Sequence, residues 1–396
     1  MYDAIIVGAG PAGSYTASRL AGFGYKVIVL EQKEEAGENS CCTGIISIDC
    51  FNTFNLDATI FRQVSSAKFF APGGECIRLY RNAPQAYIID RASLDRNLKQ
   101  RAQSHGVDYL LTAPVAAITP EPDCVSAIVD YQGKRRTFTA RTLVLACGCS
   151  SKLPEKLGLG KITDSVVGAQ AEVNVTDIDE VEVYFNQRFF PGFFAWLVPT
   201  SGNRGLAGLL VLKNAASYLG NFLHYLQAQG KIASTGADIN CGIIPLGTLP
   251  QTYAERIVVV GDAAGQVKPT TGGGIYYGLL CADVAVECLH KAFLTNDFSA
   301  ARLSLYDKQW RAKLGHELQA GYRVRRLYKK LSNRRIDRIF HIISSSGIPG
   351  FIAEWQDFSF DWHGPLISSV LKRLAMAASL QPIKGLLKNS GRWMTS

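Results

Sequence analysis

Met1-Tyr-Asp-Ala-Ile-Ile-Val7, Gly8-Ala9-Gly10-Pro11-Ala12-Gly13, an Ala-rich run to Leu20, then Lys26-Val-Ile-Val-Leu30-Glu31 is the stretch that decides the fold. A short β-branched apolar run, a glycine turn, a helix-length segment and a second apolar run ending in an acid spell a βαβ unit. Each part answers a chemical need. Gly8 makes the tight turn, Gly10 lets the backbone approach a pyrophosphate, and Gly13 lets helix pack on strand. An anion then sits at the helix start, where free N–H groups and the dipole favour it, and Glu31 is placed to accept ribose hydroxyls. A 2′-phosphate would call for an Arg there, so the unit reads as a dinucleotide site that is not for NADP.

Composition sets bounds around this unit. With 396 residues, 47% hydrophobic and 19% charged, the chain has enough apolar surface for two or three packed units. Uninterrupted apolar runs fall short of the ~18 residues of a membrane span, and a strand directly after Met1 leaves no room for a leader, so the expected location is cytoplasmic. Ten cysteines are scattered without a framework spacing; Cys-x-x-Cys is absent, the nearest pairs being Cys41-Cys42 and Cys147-x-Cys149, so neither disulfides nor a metal is expected. The net charge of +9 is unevenly placed: residues 302–396 hold 17 Lys and Arg against 6 Asp and Glu, which leaves the rest slightly acidic.

Beyond Glu31 and Gln32 comes a polar loop, Ser40-Cys41-Cys42-Thr43-Gly44, followed by strand-like alternation over 62–85. Asp90-Arg91 then opens a helix whose Leu94, Leu98 and Ala102 share one face. A hairpin-like stretch over 115–139 and a buried strand ending in Ala146-Cys147-Gly148-Cys149-Ser150-Ser151 follow. Residues 166–250 read as a mainly antiparallel sheet with one helix near 218–229. Arg256-Ile-Val-Val-Val-Gly261-Asp262-Ala-Ala-Gly265 is a strand running into an acidic turn, and Gly272-Gly273-Gly274-Ile275 opens a long Ala- and Leu-rich helix.

Three motifs together, the opening glycines, the Asp90-Arg91 helix start and the Gly261-Asp262 block, resemble the FAD-dependent oxidoreductases of the p-hydroxybenzoate hydroxylase fold. Within that group Tyr184-Phe185, Pro191-Gly-Phe193-Phe194-Ala-Trp196-Leu-Val-Pro199 and Pro269-x-x-Gly-Gly-Gly-Ile275 are similar to the geranylgeranyl reductase family. The resemblance implies FAD, an α/β fold with a discontinuous Rossmann-like FAD-binding domain (1–61, 86–165, 251–300), an inserted mainly antiparallel β-sheet substrate domain (62–85, 166–250) and a basic helical C-terminal region (301–396). It assigns to FAD Gly8, Gly10, Pro11, Ala12, Gly13, Glu31, Gln32, Cys42, Thr43, Gly44, Arg91, Gly148, Gly261, Asp262, Gly273, Gly274 and Ile275. Asp262 would accept from the ribityl chain. One departure stands out: relatives carry Ala-Asp-Gly where this chain has Ala146-Cys147-Gly148, which puts in doubt what that acid does for the nucleotide or for NAD(P)H docking.

The implied reaction saturates isolated alkenes of a geranylgeranyl or polyprenyl chain on a lipid, quinone or pigment precursor. It needs a hydride from reduced flavin, replenished by NAD(P)H or reduced ferredoxin through a possible electron-donor protein, and a proton from a positioned acid. Cys42 or Cys41 is the candidate acid, with Cys42 preferred. Tyr184, Phe193, Phe194, Trp196 and Pro199 suit a wall for an isoprenoid chain, though they equally suit the core of the inserted sheet. Residues 322–343 carry apolar Val324, Leu327, Leu331, Ile336, Ile339, Phe340 and Ile343 beside eight Lys or Arg. Residues 366–388 repeat the pattern with Lys384 and Lys388, and Trp393 suits an interface. Both segments fit amphipathic helices on an anionic membrane surface, or a helical cap with a solvated face. No nucleic-acid module accompanies the charge. The alternatives are a monooxygenase or halogenase, since Phe194-x-Trp196-x-Val198-Pro199 nears a halogenase Trp-x-Trp motif, and a flavin-free prenyl carrier resembling the GDP-dissociation-inhibitor branch.

Overall fold

The computed structural model describes residues 1–38 and 40–379. Lys384, Lys388 and Trp393, read above as part of a membrane-facing segment, lie outside the described residues.

The opening strand Tyr2–Val7 lies inside an eight-stranded sheet. It pairs in parallel with Val27–Leu30 on one side and Lys134–Leu145 on the other. Asp108–Leu110 and Ile257–Val259 extend the parallel set outward. Parallel strands of this kind must be covered on both faces, and the alternation shows it. Ala4 and Ile6 enter a cluster with helices Pro11–Gly22 and Ile275–Thr295, while Ile5 and Val7 enter a second cluster under the 115–145 strands. Trp310 and Tyr306, from the long helix Ala300–Tyr328, close the first cluster.

The second sheet has seven strands, in the order 239–245, 165–174, 204–211, 194–199, 181–185, 66–70 and 76–80. Its pairings are antiparallel except for 66–70 against 181–185. Helix Ala215–Ala228 covers one face with Leu219, Phe222, Leu223 and Leu226. A third sheet joins Ile45–Ser47, Ala86–Ile89 and Ile60–Val64. Arg62–Val64, grouped above with the inserted sheet, hydrogen-bonds to 86–89 in this small sheet, and the strands that reach the large sheet begin at Ser66.

The expected amphipathic segment over 322–343 is two helices. Ala300–Tyr328 ends before a turn, and Asn333–Ser345 begins afresh at an angle set by what it covers. Ile336, Phe340 and Ile343 pack on Phe69, Ala71, Ile77 and Leu79, so its apolar stripe covers the edge hairpin of the seven-stranded sheet. Phe185, Tyr328 and Leu331 complete that cluster. Leu327, by contrast, is 51% exposed. Helices Ile348–Glu354 and His363–Ser379 follow. Among the described residues no helix is long and apolar enough to cross a membrane.

Candidate active site

The glycine turn has the shape a pyrophosphate requires. Gly8 has φ +107°, and a Cβ there would lie 2.4 Å from the Ala146 carbonyl oxygen; at Gly13 it would lie 2.0 Å from the Gly8 oxygen. At Gly10 a Cβ would meet nothing within 4 Å, so this side of the turn is open to a ligand. Pro11 and Ala12 start the helix without a side-chain cap, leaving N–H groups for an anion. Glu31 is buried: one carboxylate oxygen accepts from Ala9 N at 2.6 Å and the other from Lys33 N at 2.9 Å, which fixes its plane beside the turn. Gln32, the next residue, is exposed.

Gly261–Ala264 forms a single 3-10 turn, locked when Gly261 N donates to Gln266 Oε1 at 2.7 Å. Burial pushes the Asp262 carboxyl up to about 6, with Arg91 pulling the other way. Arg91 starts helix Arg91–Ser104 behind the Asp90 cap, but its side chain turns inward to pair with Asp95. Burial disfavours its charge; Asp95, Cys42 and Asp262 outweigh burial and hold the guanidinium above its ordinary value. Arg91 Nε and Asp95 Oδ1 are buried without a hydrogen-bond partner. An open glycine turn, a buried acid and an orphaned donor facing one cleft fit FAD. Asp95 was not anticipated, although its i+4 spacing from Arg91 is a usable signal.

The vicinal cysteines face different ways. The Cys41 thiol donates to the Asn240 carbonyl at 3.5 Å, and a Cβ on Gly242 would lie 3.2 Å from Cys41 Cβ. Burial, with Cys42 and Cys241 nearby, pushes this thiol up to about 12. Cys41 is therefore the residue that seats the loop on the sheet. Cys42 Sγ accepts from Gly44 N at 3.4 Å, its carbonyl accepts from Gln170 Nε2 at 3.1 Å, and it contributes to the field at Arg91. Gly44 has φ +68° and its carbonyl accepts from Ile89 N at 2.9 Å, tying Thr43 and the thiol loop to the small sheet. Gly148 turns at φ +72° between Cys147 and Cys149, both pushed up by burial, Cys149 to about 11.

Facing this loop is the side of the seven-stranded sheet away from helix Ala215–Ala228, where the small sheet also packs through Ile45, Val64 and Ile88 against Val181, Val198 and Trp196. Gly272 abuts it, since a Cβ there would lie 3.1 Å from Leu210 and 3.4 Å from Ile244. Gly273 and Gly274 follow, Gly274 against Asp262, and Ile275 starts the long helix. Phe193 is buried with Val166, Leu210 and Leu246, and Phe194 and Trp196 line the same cluster part-exposed. Pro199 is buried where its strand pairs with Gly205. Tyr184 departs from the expectation. It stacks on Phe70, hydrogen-bonds to Glu182 and packs against Phe222, on the face away from Trp196. The strand alternates, so Val183 and Phe185 point to one side and Tyr184 to the other.

A buried polar cluster, unforeseen from sequence, locks the cleft. Lys268 Nζ pairs with Asp361, Asp361 accepts from Ser47 Oγ, and Tyr277 OH donates to the Asp361 carbonyl at 2.9 Å. His363 N and Gly364 N donate to Glu317, and the His363 ring meets Thr270 at 2.7 Å. Burial, then Lys268, lowers His363 to about 4. Residues 359–364 thus bind the Lys268–Gly274 loop to the strand that follows Cys42. A lone acid between Phe360 and Trp362 was the available signal.

A family described as lycopene cyclase protein matches residues 3–354. The digeranylgeranylglycerophospholipid reductase 1 of Methanococcoides burtonii is 30% identical over 85% of this chain and 86% of its own. The digeranylgeranylglycerophospholipid reductase of Methanocaldococcus jannaschii is 28% identical over 87% and 91%. A geranylgeranyl bacteriochlorophyll reductase-like protein from Thermoplasma acidophilum superposes with TM-score 0.83 at 20% identity, covering 99% of this chain and 98% of its own. A halogenase, PltM, solved with FAD, superposes at TM-score 0.67 and 13% identity, covering 99% and 94%. The two superpositions share the fold.

Proposed function

The chain belongs to the geranylgeranyl reductase family of FAD-dependent oxidoreductases, within the wider lycopene cyclase group, and from that premise we propose that it saturates the alkenes of geranylgeranyl chains on a glycerophospholipid. The observation that carries this reading is the apolar lining: the Cys41-Cys42 loop and the Gly272–Gly274 loop meet a sheet face on which Leu210 and Ile244 cluster with Phe193, Phe194 and Trp196. A prenyl chain asks for such a lining, because it offers area and no hydrogen bonds.

FAD, once reduced, supplies the hydride. Gly8, Gly13 and Gly261 would let the backbone fold close, the open Gly10 side and the uncapped N–H groups at the Pro11–Ala12 helix start would hold the pyrophosphate, Glu31 would take the ribose, and Asp262 would accept from the ribityl chain. Arg91 presents its free Nε to the same cofactor. Phe194, Trp196, Leu210 and Ile244 bind the chain and keep bulk solvent from it. Cys42 delivers the proton from Sγ to the alkene carbon next to the one that receives hydride, and the Gly44 N–H then holds the sulfur. Electrons come from NAD(P)H or reduced ferredoxin.

The lipid reaches the site from a membrane surface. Arg326, Lys329, Lys330, Arg334, Arg335 and Arg338 are exposed together with Phe189 and Leu327, a basic patch with apolar tips suited to an anionic bilayer from the cytoplasmic side.

The test is anaerobic. Photoreduced enzyme mixed with digeranylgeranylglycerophospholipid in anionic vesicles should yield product heavier by two hydrogens per bond. Addition of oxygen or halogen in aerobic turnover, without saturation, would replace this reading with the monooxygenase or halogenase one. Cys42→Ser should keep FAD and slow turnover about 100-fold or more; wild-type turnover would remove Cys42 from the proton step.

A further inference from the structure

The substrate face of the large sheet holds two buried polar atoms that nothing satisfies. Gln170 is 7% exposed; its Nε2 donates to the Cys42 carbonyl at 3.1 Å, and its Oε1 has no partner. Trp196 Nε1 is likewise buried and unpartnered. The two residues lie in one cross-strand row, because Gly208 is paired directly with Gln170 on one side and with Trp196 on the other. Directly paired residues project to the same face.

Gly208 makes the row work. A Cβ there would fall 2.4 Å from Trp196 Cζ2 and 2.7 Å from Trp196 Nε1, so the indole, Nε1 included, lies over the glycine that separates it from Gln170. Neighbouring Cβ positions in such a row are about 5 Å apart, which brings the indole N–H and the Gln170 amide to within the reach of one bridging oxygen. They do not bond to each other. One donor and one acceptor, both buried, unpartnered and in one row, suit an atom that both accepts and donates: a hydroxyl oxygen.

We propose that Gln170 and Trp196 hold a single water beside Cys42, and that this water returns the proton that Cys42 gives up. This rests on the proton-donor reading of Cys42. When the alkene takes the proton, the Cys42 S–H bond breaks as the new C–H bond forms, and a thiolate remains. The water O–H then transfers its proton to the sulfur, and the hydroxide so formed takes a proton from solvent. No oxidant or reductant enters this half of the cycle. Gln170 is in addition a positioning residue, since its amide N–H sets where the Cys42 backbone sits on the sheet.

The experiment uses full-length FAD-loaded enzyme, the diprenyl phospholipid in vesicles, and dithionite as reductant. Trp196→Phe keeps most of the ring area and removes only the N–H; Gln170→Leu removes both amide functions. Each should lower turnover at saturating lipid by at least about tenfold, leave KM within about twofold, and raise the solvent deuterium isotope effect, because proton return becomes limiting. A role confined to packing would shift KM or thermal stability and leave the isotope effect at the wild-type value. Wild-type turnover and isotope effect in Trp196→Phe, in a background where Cys42→Ser is impaired, would overturn the water site alone. Unimpaired Cys42→Ser would overturn the parent reading instead. A crystal structure should contain an ordered oxygen about 2.7–3.2 Å from both Gln170 Oε1 and Trp196 Nε1; a dry gap there would also refute the site.

Discussion

The two faces of the seven-stranded sheet are built from alternate residues of the same strands, yet they differ in kind. On one face Ala169, Ala171, Ala195, Leu197, Ala207 and Leu209 lie under helix Ala215–Ala228, and the buried Glu182 is paired, taking Lys231 at 2.6 and 2.7 Å and the Tyr184 hydroxyl as well. The other face carries Gly168, Gln170, Trp196, Gly208 and Gly242, meets the thiol and flavin loops, the small sheet through Ile45, Val64 and Ile88, and Tyr322, and retains unpartnered polar atoms at Gln170 and Trp196. A face whose task is packing removes cavities and orphan atoms; a face whose task is binding keeps both until a ligand arrives.

Substitutions should separate the faces. The largest expected effect is on the packed side. Phe222→Ala should lower the free energy of unfolding by about 3–5 kcal/mol in denaturant titrations while turnover per folded molecule holds; a matching loss of turnover would mean the faces are coupled through the sheet.

Acid should loosen the binding side next. His363, facing Lys268, Asp361, Glu317 and Thr270, has a folded pKa near 4 against about 6.5 when released. A lowered histidine stabilises docking above pH 6.5, and that contribution is lost as pH falls from 6.5 through 4, about 3 kcal/mol in all. Hydrogen exchange over 359–364 should therefore accelerate between pH 6.5 and 4, with exchange in helix 215–228 unchanged by this term; His363→Gln should abolish the added acid sensitivity.

Gly208→Ala comes third. The new methyl displaces the Trp196 ring, and turnover should fall about 100-fold, equivalent to about 2.7 kcal/mol, with FAD content unchanged. Normal turnover would show that the indole plane does not position substrate. The smallest effect lies outside both faces. Arg335→Gln should weaken binding to anionic vesicles by about fivefold, near 1 kcal/mol, and the difference should shrink at high salt.

Much of the cofactor half was legible because its constraints are local. Gly13 and Glu31 act within one βαβ unit, Gly13 through its clearance from the Gly8 oxygen and Glu31 through the Ala9 N–H it accepts; Gly8 is positioned there too, although the carbonyl that forbids its Cβ belongs to Ala146. Arg91 was legible as a position, but its burial was not, since it depends on Asp95 and on the loop packed above it. Tyr184 was misplaced for a related reason: the motif around it names both faces of the strand, and only strand parity sorts Tyr184 from Trp196. The basic segment at 322–343 displayed an amphipathic pattern that suits a bilayer and a hairpin equally, and helix Asn333–Ser345 uses its apolar stripe on the hairpin.

The sequence by itself determined the dinucleotide turn, the order of the flavin blocks, the family, and the excess of charge in the tail, because each is carried by residues close together in the chain. Only the tertiary structure decided that Cys41 sits against Asn240 and Gly242 while Cys42 meets Gly44 and Gln170, that Lys268, Asp361 and Ser47 tie residues 359–364 to the loops around them, and that Gln170 and Trp196 share a row over Gly208. These depend on contacts between segments far apart in sequence, where burial, strand parity and unpaired hydrogen-bonding atoms exist only once the sheets have closed on each other.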